Sequence, residues 1–227
     1  MRAHWRFTDR YDGDFGSSVA PEELAARCDQ IIAHPWTLLD QVHGSDVVVV
    51  GAPGQCRGVS ADAAVTGVPG AALAVRTADC AGVVLIGSDI NNAEIAVGVA
   101  HAGWKGLLDG VLQNAVGAMG DLGAAKVQWI LGPCISALSY EFGVDDLALL
   151  MDRFGESLAS RTASGSPALD LRAGVRVALG EAGALPFGGP GVPEPPCTAA
   201  DDGYFSWRER SEVGRQATVV WLDAEDG

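Results

Sequence analysis

His43, Cys80 and His101 are the residues whose types fit a single piece of chemistry. Two of the chain's four histidines lie beside glycines, in Gln41-Val42-His43-Gly44 and in Ala100-His101-Ala102-Gly103. Cys80 closes the polar segment Arg76-Thr77-Ala78-Asp79-Cys80. Two imidazoles and a thiolate make a three-ligand set of the kind that holds zinc while a fourth position stays open for water or substrate. The same His2Cys set also accepts copper. Binding would need Cys80 as the thiolate and both imidazoles neutral. No CxxC or HExxH spacing marks the trio. Each residue therefore also reads as a buried core side chain, and Cys80 with either histidine as a nucleophile and its base.

Charged and aromatic neighbours add to this set. Asp79, directly before Cys80, reads as an orienter of a ligand or as an acid/base, and Arg76 or Lys105 as a holder of an anion. The alternative for all three is a solvated turn with a local ion pair, which contributes little. Trp104, Tyr204 and Trp207 are candidates to stack on a flat ring, or simply to pack.

The elements around these residues point to an α+β protein. A strand-like piece covers Trp5 to Thr8, and Pro21, Glu22 and Glu23 open a helix to about Ile32. Thr37 to Leu39, Val47 to Val50, Ala71 to Val75, Gly82 to Ile86 and Ile95 to Val99 read as strands, the second of them as a buried β-branched run. A single helix is expected from near Leu107, with an apolar face from Leu107 to Met119. Val127 to Leu131 reads as a strand. Asp145 is expected to cap a helix to about Arg153, and Asp170 another to about Glu181. Gly183 to Pro196 reads as a loop, and Ala217 to Leu222 as a last strand. Strands and helices do not alternate strictly, so a doubly wound sheet is disfavoured, and residues 1–227 read as one domain.

Composition narrows the partners. The net charge of −14 argues against nonspecific nucleic-acid binding and against an anionic membrane surface. No apolar run reaches the roughly 18 residues of a membrane helix, and residues 1–8 lack a signal-peptide core, so a cytoplasmic location is expected. The five cysteines read as reduced thiols, mostly small buried hydrophobes.

Several segments together resemble the multicopper-polyphenol-oxidase-like, or laccase-domain (YfiH-like), family. They are Gln41-Val42-His43-Gly44, Ala61-Asp62-Ala63, Val75 to Cys80, Ala100 to Gly106, Gly132-Pro133-Cys134-Ile135, Cys197-Thr198, Phe205 to Arg208 and Gly214-Arg215, in family order. The resemblance implies mixed β-sheet layers flanked by helices and a metal, zinc, on His43, Cys80 and His101. It also implies phosphorolysis of purine nucleosides (adenosine, inosine, guanosine, methylthioadenosine) and deamination of adenosine. Orthophosphate would then be the second substrate, with Arg76, Lys105 and Arg215 as its candidate contacts and Cys80, Asp79 and Arg76 as the candidate catalytic set.

This chain departs from the family pattern in three places. Thr8 to Asp14 stands where members carry Thr-Arg-x-Gly-Gly-Val-Ser, the Leu-Asn-Leu-Gly stretch that follows is missing, and Lys105 replaces the usual Arg. Three other readings use the same residues: a copper-dependent phenol oxidase, a Cys-His amide hydrolase including a peptidoglycan-precursor editing role, and a non-catalytic metal-binding protein.

Overall fold

The computed structural model describes residues 1–189 and 191–224. The chain forms β1 (Arg2–Phe7), α1 (Pro21–Ile31), β2 (Trp36–Leu38), β3 (Val47–Val49), β4 (Ala63–Thr66) and β5 (Ala72–Thr77). It continues with β6 (Ala81–Ser88), β7 (Glu94–Ala102), α2 (Trp104–Leu108), α3 (Val111–Asp121), β8 (Lys126–Leu131) and α4 (Val144–Phe154). β9 (Ala159–Arg161), β10 (Pro167–Leu169), α5 (Leu171–Glu181), β11 (Leu185–Pro186), α6 (Trp207–Arg210) and β12 (Gln216–Asp223) complete it.

One sheet has the order β1-β12-β5-β2, with β2 parallel to β5 and the other pairs antiparallel. The larger sheet runs β11-β8-β6-β7-β4-β3 and is antiparallel except at its two edge pairs. β9 and β10 form a separate hairpin. This is the α+β class expected, with mixed sheets layered between helices.

Period-2 alternation explains the layering. On β5, Leu73 and Val75 face the larger sheet and meet Val84, Ile86, Val97 and Val99. Ala72 and Ala74 point the other way, toward Leu24 and Cys28 of α1. On β6, Val83 and Leu85 point away from the smaller sheet and pack with Leu112, Ala115 and Met119 of α3 and Val175 of α5. Strands covered on both faces read as continuous apolar runs, as β6 does.

Four expectations are corrected. The helix after His101 is two helices, because Asp109 and Gly110 interrupt it and Gly110 adopts a left-handed φ of 89°. Its apolar spacing continues across the break, so periodicity does not reveal the interruption. β3 is a half-exposed edge strand with Val49 at the surface rather than a buried one. Asp145 sits in the first turn of α4, whose cap position is Gly143. The expected loop 183–196 contributes β11 to the larger sheet's edge; Pro190 within it lies outside the described residues. Asp170 does cap α5, accepting the Ala173 N–H at 2.9 Å. Among the described residues no helix is long and apolar enough to cross a membrane.

Candidate metal centre

Sheet register brings distant segments to one place. β5 and β6 are joined by a short turn holding Asp79 and Cys80, and β6 pairs with β7 so that Gly82 lies opposite His101 and Ala81 opposite Ala102. Cys80 thereby arrives beside the end of β7. His43 comes from the β2–β3 loop. One donor atom from each of His43, Cys80 and His101 lies within 4.8 Å of the others. Cys80 Sγ is 4.0 Å from His43 Nε2, and the two imidazole rings meet edge-on at 4.7 Å between centroids.

The loop that presents His43 is shaped by a carboxylate with no obvious role in the sequence. Asp62 is fully buried just before β4, and its oxygens accept the backbone N–H groups of Val42 (3.1 Å), His43 (3.0 Å) and Gly44 (2.8 Å). Three amides closing on one carboxylate hold His43 at a left-handed φ of 60°, a conformation that non-glycine residues rarely adopt. The same carboxylate lies 2.7 Å from His101 Nδ1. A carboxylate accepts, so Nδ1 carries a proton, and Nε2 is the nitrogen turned toward the other two residues for a ligand role. In the sequence Asp62 stands out only as part of the segment Ala61-Asp62-Ala63. Its partnership follows from the β4–β7 register, which sets Ala63 opposite Ala100.

Burial and pairing set the ionisation of the trio. Burial alone would raise the Cys80 thiol, but His101 and then His43 carry it down to about 6. Burial would lower His101, yet Cys80 and the hydrogen bond to Asp62 lift it to about 9. Asp62 lies below the usual carboxylate range: burial opposes ionisation, and the His101 and Gly44 hydrogen bonds outweigh it. Without a metal, the Cys80 thiolate is thus paired with a protonated His101, and a divalent metal bound there would take the place of the His101 Nε2 proton. Gly103 keeps the space clear, because a Cβ there would come within 2.8 Å of His43 Cδ2 and 3.3 Å of Cys80 Sγ. Donor types, spacing and an orienting carboxylate together fit a metal site of three protein ligands.

The trio opens into a cleft of about 400 Å³, also lined by Ser17, Asp40, Gln41, Arg76, Thr77, Ala78, Trp207 and Arg215. A larger cavity of about 540 Å³ lies elsewhere, between Trp5, Trp129 and Phe187, and none of the three donors lines it. Arg76 is held by Nη2 donation to Leu39 O at 2.8 Å, and its backbone is clasped by the Gln41 side-chain amide. Burial lowers Arg76, Asp40 opposes that, and the nearby Arg215 and Arg57 lower it again. Arg76 and Arg215 both line the cleft, and two guanidinium groups on one space suit an anion.

Arg215 is anchored by donation from Nη1 to the carbonyls of Glu212, Val213 and Gly214, and by its backbone N–H to Asp14. The N-terminal segment therefore does reach the cleft, through Asp14 and Ser17.

Other sequence candidates sit elsewhere. Lys105 is exposed, does not line the cleft, and lies 5.5 Å from its neighbour's Trp104 ring. Asp79 is buried and points away from the trio. It accepts from Thr198 Oγ1 (2.7 Å), Ser206 Oγ (2.7 Å) and Arg208 N–H (2.6 Å), with its backbone at φ 91°. Trp104 packs edge-on against Phe142 at 5.5 Å, whereas Trp207 is 55 % exposed and lines the cleft.

Residues 13–223 match the family model for multi-copper polyphenol oxidoreductase laccase. The chain belongs to this family. A Streptomyces coelicolor member named purine nucleoside phosphorylase is 36% identical, over 97% of this chain and 96% of its own length. A Xylella fastidiosa protein with the same name is 40% identical over 90% of this chain and 79% of its own. Among solved structures, a Neisseria meningitidis protein superposes with a TM-score of 0.77 at 33% identity, covering 93% of this chain and 86% of that one. YlmD from Geobacillus stearothermophilus shares the fold, with a TM-score of 0.79 at 22% identity over 98% of this chain and 92% of its own. The family description speaks of several copper ions; among the described residues one three-donor group has the spacing of a metal site.

Proposed function

We propose that this chain is a metal-dependent purine nucleoside phosphorylase, with adenosine deamination as a second activity at the same site. The observation that carries the reading is the shared cleft, in which the His43, Cys80 and His101 donors, two guanidinium groups and an exposed indole face one space of nucleoside size. The names of the Streptomyces and Xylella relatives support the reaction class. The metal is zinc in this reading; when bound by His43, Cys80 and His101 it supplies a Lewis acid at the head of the cleft.

The chain's own residues do the rest. Arg76 and Arg215 hold orthophosphate against the acidic background of the protein. Trp207 offers its face to the purine. One phosphate oxygen bonds to the ribose C1′ and the C1′–N9 bond breaks. Its electron pair leaves on N9, and the purine takes up a proton. In deamination a water oxygen adds at C6 and ammonia departs. Asp79 enters as a positioning residue, since its carboxylate fixes Ser206 and Arg208 on either side of Trp207. Lys105, outside the cleft, is given no phosphate contact.

Elemental analysis of wild type and His43→Ala, followed by a nucleoside panel with and without phosphate, tests the reading. Stoichiometric metal and phosphate-dependent release of free purine are expected for the wild type, with both lost in the variant. A metal-loaded wild type that releases no purine with phosphate would remove the proposal. Activity that survives complete chelation but not Cys80→Ala would replace it with the Cys-His hydrolase.

A further inference from the structure

A pair of cysteines lies near the turn that carries Cys80, where the segment after β8 runs beside Pro196-Cys197-Thr198. Cys134 N–H donates to Pro196 O at 3.3 Å, and Thr198 N–H donates to Cys134 O at 3.4 Å. Two such bonds flanking residues 134 and 197 are those of a parallel strand pair. They bring the backbones of Cys134 and Cys197 side by side, the close approach that a disulfide's short reach requires.

The two thiols differ in setting. Cys197 is half-buried, and its Sγ receives the Ser136 N–H at 3.3 Å and the Ser136 hydroxyl at 3.2 Å. Two donors on one sulfur favour the thiolate. Cys134 is fully buried. Arg172, only 8% exposed, donates Nη2 to both Cys134 O (2.8 Å) and Pro196 O (3.0 Å), and its Nη1 lies 3.6 Å from Glu194. Its buried Nε has no partner. A cation with an unsatisfied donor is thus held against the paired cysteines. Burial pushes the Cys134 thiol up to about 12, whereas the Ser136 donors outweigh burial at Cys197 and bring it below the ordinary range.

We propose that Cys197 and Cys134 are a hydroperoxide-reactive dithiol, in which Cys197 is oxidised first and Cys134 then closes a disulfide onto it. The Cys197 thiolate sulfur bonds to one peroxide oxygen, the O–O bond breaks, and the other oxygen leaves with its electron pair and is protonated by solvent. The Cys134 sulfur next bonds to the Cys197 sulfenic acid sulfur. The S–O bond breaks, and hydroxide departs as water with the Cys134 proton. Two thiols lose two electrons in all, and one peroxide gains them.

The site communicates with the metal centre through the backbone. Ile135, after Cys134, donates its N–H to Asp79 O at 2.9 Å, and Thr198, after Cys197, donates its hydroxyl to the Asp79 carboxylate. Asp79 immediately precedes Cys80, so closing the disulfide moves both anchors of the turn that presents a metal donor.

The test is peptide mass mapping of the full, metal-loaded chain after hydrogen peroxide treatment and alkylation. The expected product joins the Cys134 and Cys197 peptides, loses two hydrogens, and returns to two alkylated thiols after phosphine reduction, while Cys28 and Cys56 remain alkylated throughout. In Cys197→Ser, Cys134 stays free. In Ser136→Ala the reaction slows by about threefold to tenfold, as one donor to the thiolate is lost. If Cys134 and Cys197 both remain alkylatable while Cys80 oxidises, the proposal fails. It also fails if Cys197 proceeds to the sulfinic acid with Cys134 still free.

Discussion

Asp62 and Asp79 are two buried carboxylates beside the same candidate metal centre, and they do opposite jobs. Asp62 collects three successive amides of the His43 loop and the ring N–H of His101. It organises two of the three candidate donors, and among the described residues its side-chain hydrogen bonds all go to Val42, His43, Gly44 and His101. Asp79 adjoins the third donor in sequence, yet its carboxylate faces Thr198, Ser206 and Arg208 and so fixes the wall that carries Trp207. Adjacency to a ligand along the chain therefore says little about which shell a carboxylate serves. The direction set by backbone geometry decides it, and at Asp79 a left-handed φ turns the side chain away.

Removing each carboxylate separates the two roles. Asp62→Ala leaves four donors facing an apolar void. It is expected to cost about 3–5 kcal/mol of stability and to weaken metal binding roughly 10–100-fold or more. Chemical denaturation and metal titration read this directly; a variant that keeps wild-type metal affinity would make Asp62 a purely structural residue. Asp79→Ala should be milder in stability, about 2–3 kcal/mol, because two of its partners are hydroxyls that can turn to other acceptors. Its metal content should stay near one equivalent while KM for nucleoside rises, as α6 loosens. Loss of metal in Asp79→Ala would collapse the distinction.

The contrast also explains what the sequence disclosed. The three candidate donors stand out because histidine and cysteine near glycine turns are unusual side chains in unusual places, and the structure brings them within 4.8 Å of one another. The sheets are visible because strands covered on both faces carry continuous apolar runs, as Val83 to Ile86 does. Asp62 is hidden, since its role arises from strand register and from a loop folding onto it, and neither leaves a local pattern. The break at Gly110 is hidden because the apolar face of α2 and α3 keeps helical spacing across it. The position of Trp207 on the cleft depends on Asp79 119 to 129 residues away along the chain, a contact that no window of residues contains.

A third carboxylate sharpens the Asp79 side by pH. Glu212 accepts the Ser206 N–H at 2.8 Å and pairs with Arg10 at 2.7 Å and Arg210 at 3.1 Å, tying the N-terminal turn to the segment that Asp79 also holds. Burial would raise its pKa, but the Ser206 N–H and the two arginines outweigh that and depress it. A depressed folded-state pKa means stability that is present above the unfolded value of about 4.5 and lost as pH falls through the folded value. Glu212→Gln is thus expected to be less stable than wild type by about 1–2 kcal/mol at pH 7, with the gap closing on acidification. Thermal unfolding across pH 7 to 3 measures it; a gap that stays constant would assign the loss to packing instead of charge.

The smallest effect is expected at Lys105, and it decides whether sequence position or cleft geometry governs anion binding. Lys105 lies four residues after His101, at a position the sequence alone offers as a phosphate contact. Yet its side chain is exposed, sits against the Trp104 ring, and contributes nothing to the lining of the cleft. An exposed cation in contact with one indole contributes little to stability, so Lys105→Ala should change it by no more than about 0.5 kcal/mol. KM for phosphate should stay within about twofold of wild type, because a charge screened by solvent acts weakly across a Debye length. Arg76→Ala is the matched control, since Arg76 lines the cleft and is fixed by Leu39 and Gln41. A phosphate KM that rises in Lys105→Ala as much as in Arg76→Ala would mean that the lysine swings into the cleft with substrate. The anion would then be held from α2 as well as from β5.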